Sequence, residues 1–169
     1  MSQRILIVGA SESGKSSLAR RLTVDAGLPF LVYDPLESEW DGAQFITPDF
    51  ELYKTELEKM KGFPHVAVVD EAGDVFSVAQ RENHWLFTRG RHHAMLPIAI
   101  AQRMTMIAPN VRTNATDLYL FRSAKPECET LAVDYAEEGL LEGATLNQGE
   151  FLHSRWENGK KHLTKHKLW

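Results

Sequence analysis

Gly9-Ala10-Ser11-Glu12-Ser13-Gly14-Lys15-Ser16-Ser17 fits the pattern G-x-x-x-x-G-K-[ST] of a phosphate-binding loop. Four constrained positions of this kind coincide by chance in roughly one chain of this length in a hundred. The flanks agree with the motif. Arg4-Ile5-Leu6-Ile7-Val8 reads as a short buried strand, and Ser17-Leu18-Ala19-Arg20-Arg21-Leu22 continues with helical character. Strand, glycine loop and helix in that order let the backbone curl round an anion, so that successive N–H groups and the helix N-terminus face it. Gly9, Ser11, Glu12, Ser13, Gly14, Lys15, Ser16 and Ser17 are the expected cradle. Lys15 is expected to reach the β- and γ-phosphates of ATP, and the Ser16 hydroxyl to ligate Mg²⁺.

The rest of the chain supplies partners for that loop. His65-Val66-Ala67-Val68-Val69 is the most strand-like run, and it ends in Asp70-Glu71. Two acids at the tip of a buried strand downstream of a phosphate loop suit two tasks. Asp70 is placed to hold Mg²⁺, and Glu71 to act as general base on a water. Leu96 to Ala101 forms a further strand ending in Gln102-Arg103, and Gln102 is suited to bridge a γ-phosphate and the attacking water. This set favours hydrolysis over transfer to an acceptor. The transition state of γ-phosphoryl transfer needs extra positive charge, often brought by another subunit. Arg89 and Arg91, at the end of a helix read over Ser77 to His93, are the candidates, ahead of Arg103 and Arg122.

Further strands are expected at Phe30 to Tyr33 and Asp117 to Phe121, with a short edge strand at Gln44 to Thr47. Helices are expected over Asp49 to Lys61 and from Pro126 to about Glu138. Phe151 to Arg155, Asn158-Gly159 and Lys161 to Leu168 read as a terminal hairpin. Asp34, after the second strand, has either a functional role near the nucleotide or a turn-capping one. Alternating strands and helices imply an α/β fold with a mainly parallel sheet covered on both faces.

Bulk properties bound the class. The 169 residues, 43% hydrophobic and 25% charged, suit one soluble domain, with a core over 1–125 and a helix and basic hairpin over 126–169. No apolar run is long enough to span a membrane, and a strand so close to Met1 leaves no room for a signal peptide. The single cysteine, Cys128, excludes an internal disulfide and a cysteine-based zinc site. A net charge of −4 argues against a broadly basic nucleic-acid coat, but not against a local basic patch. Glu127 to Glu142 carries six acids and no Lys or Arg, the pattern of a solvated helix face. Glu150 to Trp169 carries five bases against two acids. Its Phe151, Trp156 and Trp169 call for burial against the sheet or another subunit.

Thr88-Arg89-Gly90-Arg91-His92-His93, the strand to Ala101, Gln102-Arg103, Val111-Arg112 and Asp117 to Arg122 together resemble the HerA–FtsK superfamily of DNA-translocating ATPases. Within it the chain resembles the small genome-packaging ATPases of tectivirus-type membrane-containing icosahedral viruses. The likeness covers roughly Arg4 to Arg122. It implies a RecA-like P-loop NTPase core of five strands in the order 5-1-4-3-2, and a hexameric ring. It implies ATP hydrolysis with Mg²⁺ at subunit interfaces, and double-stranded DNA driven into a preformed capsid. Capsid vertex proteins become partners, and the host cytoplasm or the packaging vertex the location. By the same likeness Lys15 and Ser16 hold phosphate and Mg²⁺, Asp70 holds Mg²⁺, Glu71 is the base, Gln102 senses the γ-phosphate, and Arg89 or Arg91 is the finger. DNA contacts are expected from the Arg103-Met104-Thr105 loop, the Asn110 to Asn114 segment with Arg112, or the basic hairpin. Two other readings stand beside this one: a small nucleotide or metabolite kinase, and a phage assembly ATPase that does not act on DNA.

Overall fold

A computed structural model describes residues 3–169. One sheet organises them, with strands β1 (Ile5–Val8), β2 (Phe30–Tyr33), β3 (Phe45–Thr47), β4 (His65–Val69), β5 (Met95–Ala101), β6 (Asp117–Phe121), β7 (Glu150–Glu157) and β8 (Lys160–Lys167). Their spatial order is β3-β2-β4-β5-β1-β6-β7-β8. The six strands from β3 to β6 run parallel, and β7 and β8 add antiparallel at the β6 edge. Counting the five core strands along the chain and leaving the short edge strand aside, the order is the expected 5-1-4-3-2.

Strand side chains alternate between faces, and the parallel core is buried on both. Leu6, Val8, Ala67, Val69 and Leu118 point into one cluster. Ile5, Ile7, Val66, Val68, Ile98 and Ile100 point into the other. Helix α1 (Lys15–Asp25) covers the second cluster with Leu18 and Ala19. Helix α2 (Phe50–Lys59) covers the first with Tyr53 and Leu57. Asp49 caps α2, accepting from the Leu52 N–H at 3.1 Å, and this stops the helix fraying. Two single-turn helices follow, α3 (Trp85–Thr88) and α4 (Pro109–Arg112). Helix α5 (Lys125–Asp134) packs Cys128 and Leu131 on the first cluster.

Three expectations need correction. Ser77 to His93 is not one helix: it consists of 3₁₀ turns at Arg81–Asn83 and Gly90–His93 either side of α3. Backbone bonds there run mostly three residues back, as from Gln80 to Ser77 and from His92 to Arg89, and side chains add to them. Asn83 Nδ2 donates to the Val75 carbonyl at 3.1 Å, and a His84 ring nitrogen lies 2.8 Å from the Ser77 carbonyl. Such local bonds compete with helix formation. The helix after Pro126 stops at Asp134, and a 3₁₀ stretch, Glu138–Thr145, buries Leu140 beyond it. The hairpin forms as expected, with Asn158 and Gly159 at φ 52° and 73°, values that a two-residue turn between twisted strands requires. Of its aromatics only Phe151 is buried; Trp156 and Trp169 are 55% and 61% exposed.

Candidate nucleotide site

Strand β1 delivers the loop to the carboxyl edge of the sheet, and both neighbouring strands anchor it. Gly9 N–H donates to the Ala101 carbonyl at the end of β5, and Ala10 N–H to the Arg122 carbonyl just past β6. A Cβ at Gly9 would stand 2.5 Å from Phe121 Cβ, so only glycine lets the loop leave this close to β6. Gly14 has φ +112° and opens α1 without a side-chain cap. The helix therefore starts with its first N–H groups directed at the loop's concave side.

Lys15 is buried, and its ammonium donates to the Ala10 carbonyl across the loop at 2.7 Å. Burial lowers its pKa, against the opposing pull of Asp70 and Glu71. Ser13 Oγ is buried with no partner among the described residues. The Lys15 ammonium beside it is held by the Ala10 carbonyl, and the first N–H groups of α1 lie alongside. A buried hydroxyl is costly to leave unpaired, and a phosphate is the acceptor that fits these donors.

Asp70 and Glu71 follow β4 directly. Glu71 N–H donates to Asp70 Oδ1 at 2.8 Å. Burial pushes the Asp70 carboxyl up to about 6; the Glu71 N–H and Lys15 oppose this, while the charges of Asp34 and Glu71 add to it. A carboxylate made costly by burial and by two like charges is suited to a divalent cation. Glu71 adopts the left-handed conformation, φ 49° and ψ 45°, uncommon outside glycine and typical of residues constrained at a site. Gln102 ends β5 next to the loop and donates from Nε2 to Glu71 Oε1 at 3.3 Å. Lys15, Asp70, Glu71 and Gln102 are thus brought together at the ends of three adjacent strands, β4, β5 and β1.

Other expected residues lie elsewhere. Arg89 and Arg91 stand on the chain before β5, at the amino edge of the sheet, where Arg91 lies close enough to depress the Arg4 pKa after burial. β5 is seven residues long, so roughly 20 Å separates its two ends. Neither arginine reaches the phosphate loop of its own chain. Arg122 does: with Ser11, Glu12, Ser13 and Gln148 it lines a recess of about 270 Å³ on the β6 side of the loop. Arg112, read as a DNA contact, is buried instead. It donates from Nε to Asp134 at 2.8 Å and from a terminal nitrogen to the Ile107 carbonyl at 2.9 Å. Arg103 is 68% exposed and paired to Glu127 at 3.2 Å. Asp34 is a turn anchor. Burial disfavours its charge, yet bonds from the Leu36 and Ser38 N–H groups and Trp40 Nε1 keep its carboxyl below the usual range.

Sequence reasoning missed Glu127. It belongs to the segment read as a solvated acidic face, yet it is buried. It accepts from Thr105 N–H at 3.0 Å, from Thr105 Oγ1 at 2.8 Å and from Arg103. Burial raises its pKa, but these donors lower it further, so the carboxylate stays charged. Glu127 ties α5 to the loop that begins at Gln102. Its partners lie more than twenty residues away in sequence, so no local pattern marks it.

The fold and the arrangement of the loop define a P-loop NTPase fold of RecA-like strand order. No family model matches the chain, and no curated protein matches its sequence. Solved structures do match its shape. The genome packaging NTPase B204 of Sulfolobus turreted icosahedral virus 2, in complex with sulfate, superposes with a TM-score of 0.79 and 21% identity, covering 98% of this chain and 96% of that one. B204, the DNA-packaging ATPase of Sulfolobus turreted icosahedral virus, gives 0.78 and 20% identity over 96% of both chains. The N-terminal domain of zonular occludens toxin from Neisseria meningitidis gives 0.63 and 16% identity over 99% and 95%.

Proposed function

We propose that this chain is the ATP-hydrolysing subunit of a motor that drives double-stranded DNA into a preformed viral capsid. One observation carries the hydrolytic part: the Gln102 carboxamide lies 3.3 Å from the Glu71 carboxylate, beside the loop whose buried Ser13 hydroxyl has no partner among the described residues. That pair has the composition of a water-activating site. The full-length likeness in fold to two packaging enzymes supports the DNA part.

In this reading the loop N–H groups, Ser13 and Lys15 bind the triphosphate. Lys15 exchanges the Ala10 carbonyl for phosphate oxygens. Ser16 and Asp70 are the residues that would hold Mg²⁺, which when bound neutralises charge between the outer phosphates. Glu71 takes a proton from the attacking water, and Gln102 orients that water towards the γ-phosphorus. The added transition-state charge is met by Arg89 or Arg91 of a neighbouring copy in a ring, read as a hexamer. The Arg103 to Thr105 loop, next to Gln102 and fixed by Glu127, is the segment best placed to couple the nucleotide state to DNA. Six copies of one or two phosphate contacts suffice, so an acidic monomer is no obstacle. The working place is the host cytoplasm and the packaging vertex, with vertex proteins as partners.

The test is ATP turnover with and without linear duplex DNA, with Glu71→Gln as control. Hydrolysis is expected to rise on adding DNA and to vanish in the variant. No stimulation, together with phosphoryl transfer to a nucleoside monophosphate, would replace the motor with a kinase.

A further inference from the structure

The strand order fixes which way a nucleotide must lie. Asp70, Glu71 and Gln102 stand on the β4–β5 side of β1. A triphosphate whose terminal phosphate faces them leaves its sugar and base on the other side, towards β6, β7 and β8. There the chain is fastened to the phosphate loop. Gly149 N–H donates to the Ser13 carbonyl at 3.1 Å, Gln148 Nε2 to the Glu12 carbonyl at 3.0 Å, and Leu168 N–H to the Gly149 carbonyl at 2.9 Å.

These bonds place Trp169 against the loop. Its indole packs so closely on Gly149 that a Cβ there would stand 2.7 Å from Cε2, and one at Gly14 would stand 3.3 Å from Cη2. The same ring lines a cavity of about 210 Å³ together with Glu12 to Ser17. It remains 61% exposed. A large aromatic side chain lodged on the rim of a phosphate cradle, and left open to it, is suited to cover a planar ring.

We infer that Trp169 is the platform on which the base of a bound nucleoside triphosphate stacks. Stacking on an indole is tolerant of base identity, because every base offers a π-face. The chemical class accepted is therefore nucleoside triphosphates in general, with ATP and GTP bound alike. This inference rests on reading Gly9 to Ser17 as a triphosphate site.

The experiment measures binding of ATP, GTP and inorganic tripolyphosphate, each with Mg²⁺, to the full chain and to Trp169→Ala, Trp169→Phe and Lys15→Ala. Trp169→Ala is expected to raise the Kd for both nucleotides by about 5- to 100-fold and to leave that for tripolyphosphate, which has no base, unchanged. Trp169→Phe keeps a flat ring and is expected to restore most of the loss. Nucleotides are expected to quench part of the fluorescence of the four tryptophans, and this quenching is expected to disappear in Trp169→Phe. Unchanged nucleotide affinity in Trp169→Ala overturns the inference, as does an equal loss for nucleotides and tripolyphosphate, which would mark a disturbed loop. If Lys15→Ala binds all three ligands as tightly as the parent chain, the triphosphate reading itself fails, and the stacking role with it.

Discussion

The two edges of the parallel sheet are built on opposite terms. At the carboxyl edge, charge is concentrated and withdrawn from water: Lys15 is buried, Asp70 is driven up to about 6 by burial first of all, and Glu71 sits in a left-handed conformation. At the amino edge, Arg89 and Arg91 are exposed on short 3₁₀ and single-turn segments. The first edge carries internal cost and has partners within one chain. The second carries little cost, and its two arginines have no side-chain partner among the described residues. In the proposed ring the carboxyl edge would be a half-site, and the amino edge what a second copy contributes.

The largest expected effect breaks or confirms that division of labour. Arg89→Ala or Arg91→Ala, whichever is the finger, lowers turnover by about 10³- to 10⁵-fold and leaves ATP binding to the single chain intact. Mixing that variant with Lys15→Ala subunits restores activity, because some interfaces then pair an intact loop with an intact arginine. Absence of recovery in every mixture would mean that the two edges never meet. Glu71→Gln comes next, with a loss of about 10²- to 10⁴-fold in turnover and tight ATP binding retained. A Glu71→Gln variant that turns over normally would shift the base to another group.

A third effect concerns Arg112, whose basic character in the sequence suggested nucleic acid. The structure makes it an internal strut between α4 and α5. Asp134→Ala leaves the buried guanidinium without its carboxylate. It is expected to cost about 3 kcal/mol of stability, read by chemical denaturation, with DNA stimulation of the surviving enzyme unaltered. Stability within error of the parent chain would return Arg112 to the surface.

These cases show what sequence carries and what it does not. The loop, the Asp70-Glu71 tip, the strand ending at Gln102 and the Asn158-Gly159 turn are local patterns, in which neighbours along the chain set the geometry. Each is legible because a phosphate cradle, a buried strand or a tight turn admits few residue types. Arg112, Glu127 and Trp169 are defined by partners far along the chain, so composition alone assigns them to the solvent or leaves them homeless. Ser77 to His93 misleads in another way. Its apolar spacing suits a helix, but Asn83 and His84 spend their side chains on nearby carbonyls.

The smallest effect is the most direct reading of what the carboxyl edge costs. A carboxyl with a pKa raised on folding stabilises the native state when protonated, so its contribution is full below pH 4 and is lost as pH rises towards 6. At pH 7 the free protein therefore carries Asp70 as a liability. Asp70→Asn removes the charge while keeping the shape. Without nucleotide and Mg²⁺, it is expected to be about 1–3 kcal/mol more stable than the parent chain at pH 7, and to match the parent's stability at pH 4. The same substitution removes the charge proposed to hold Mg²⁺, so gain in stability and loss of hydrolysis should appear together. If Asp70→Asn is less stable at pH 7, the carboxylate is held by the fold and not set aside for a ligand, and the contrast between the two edges loses its physical basis.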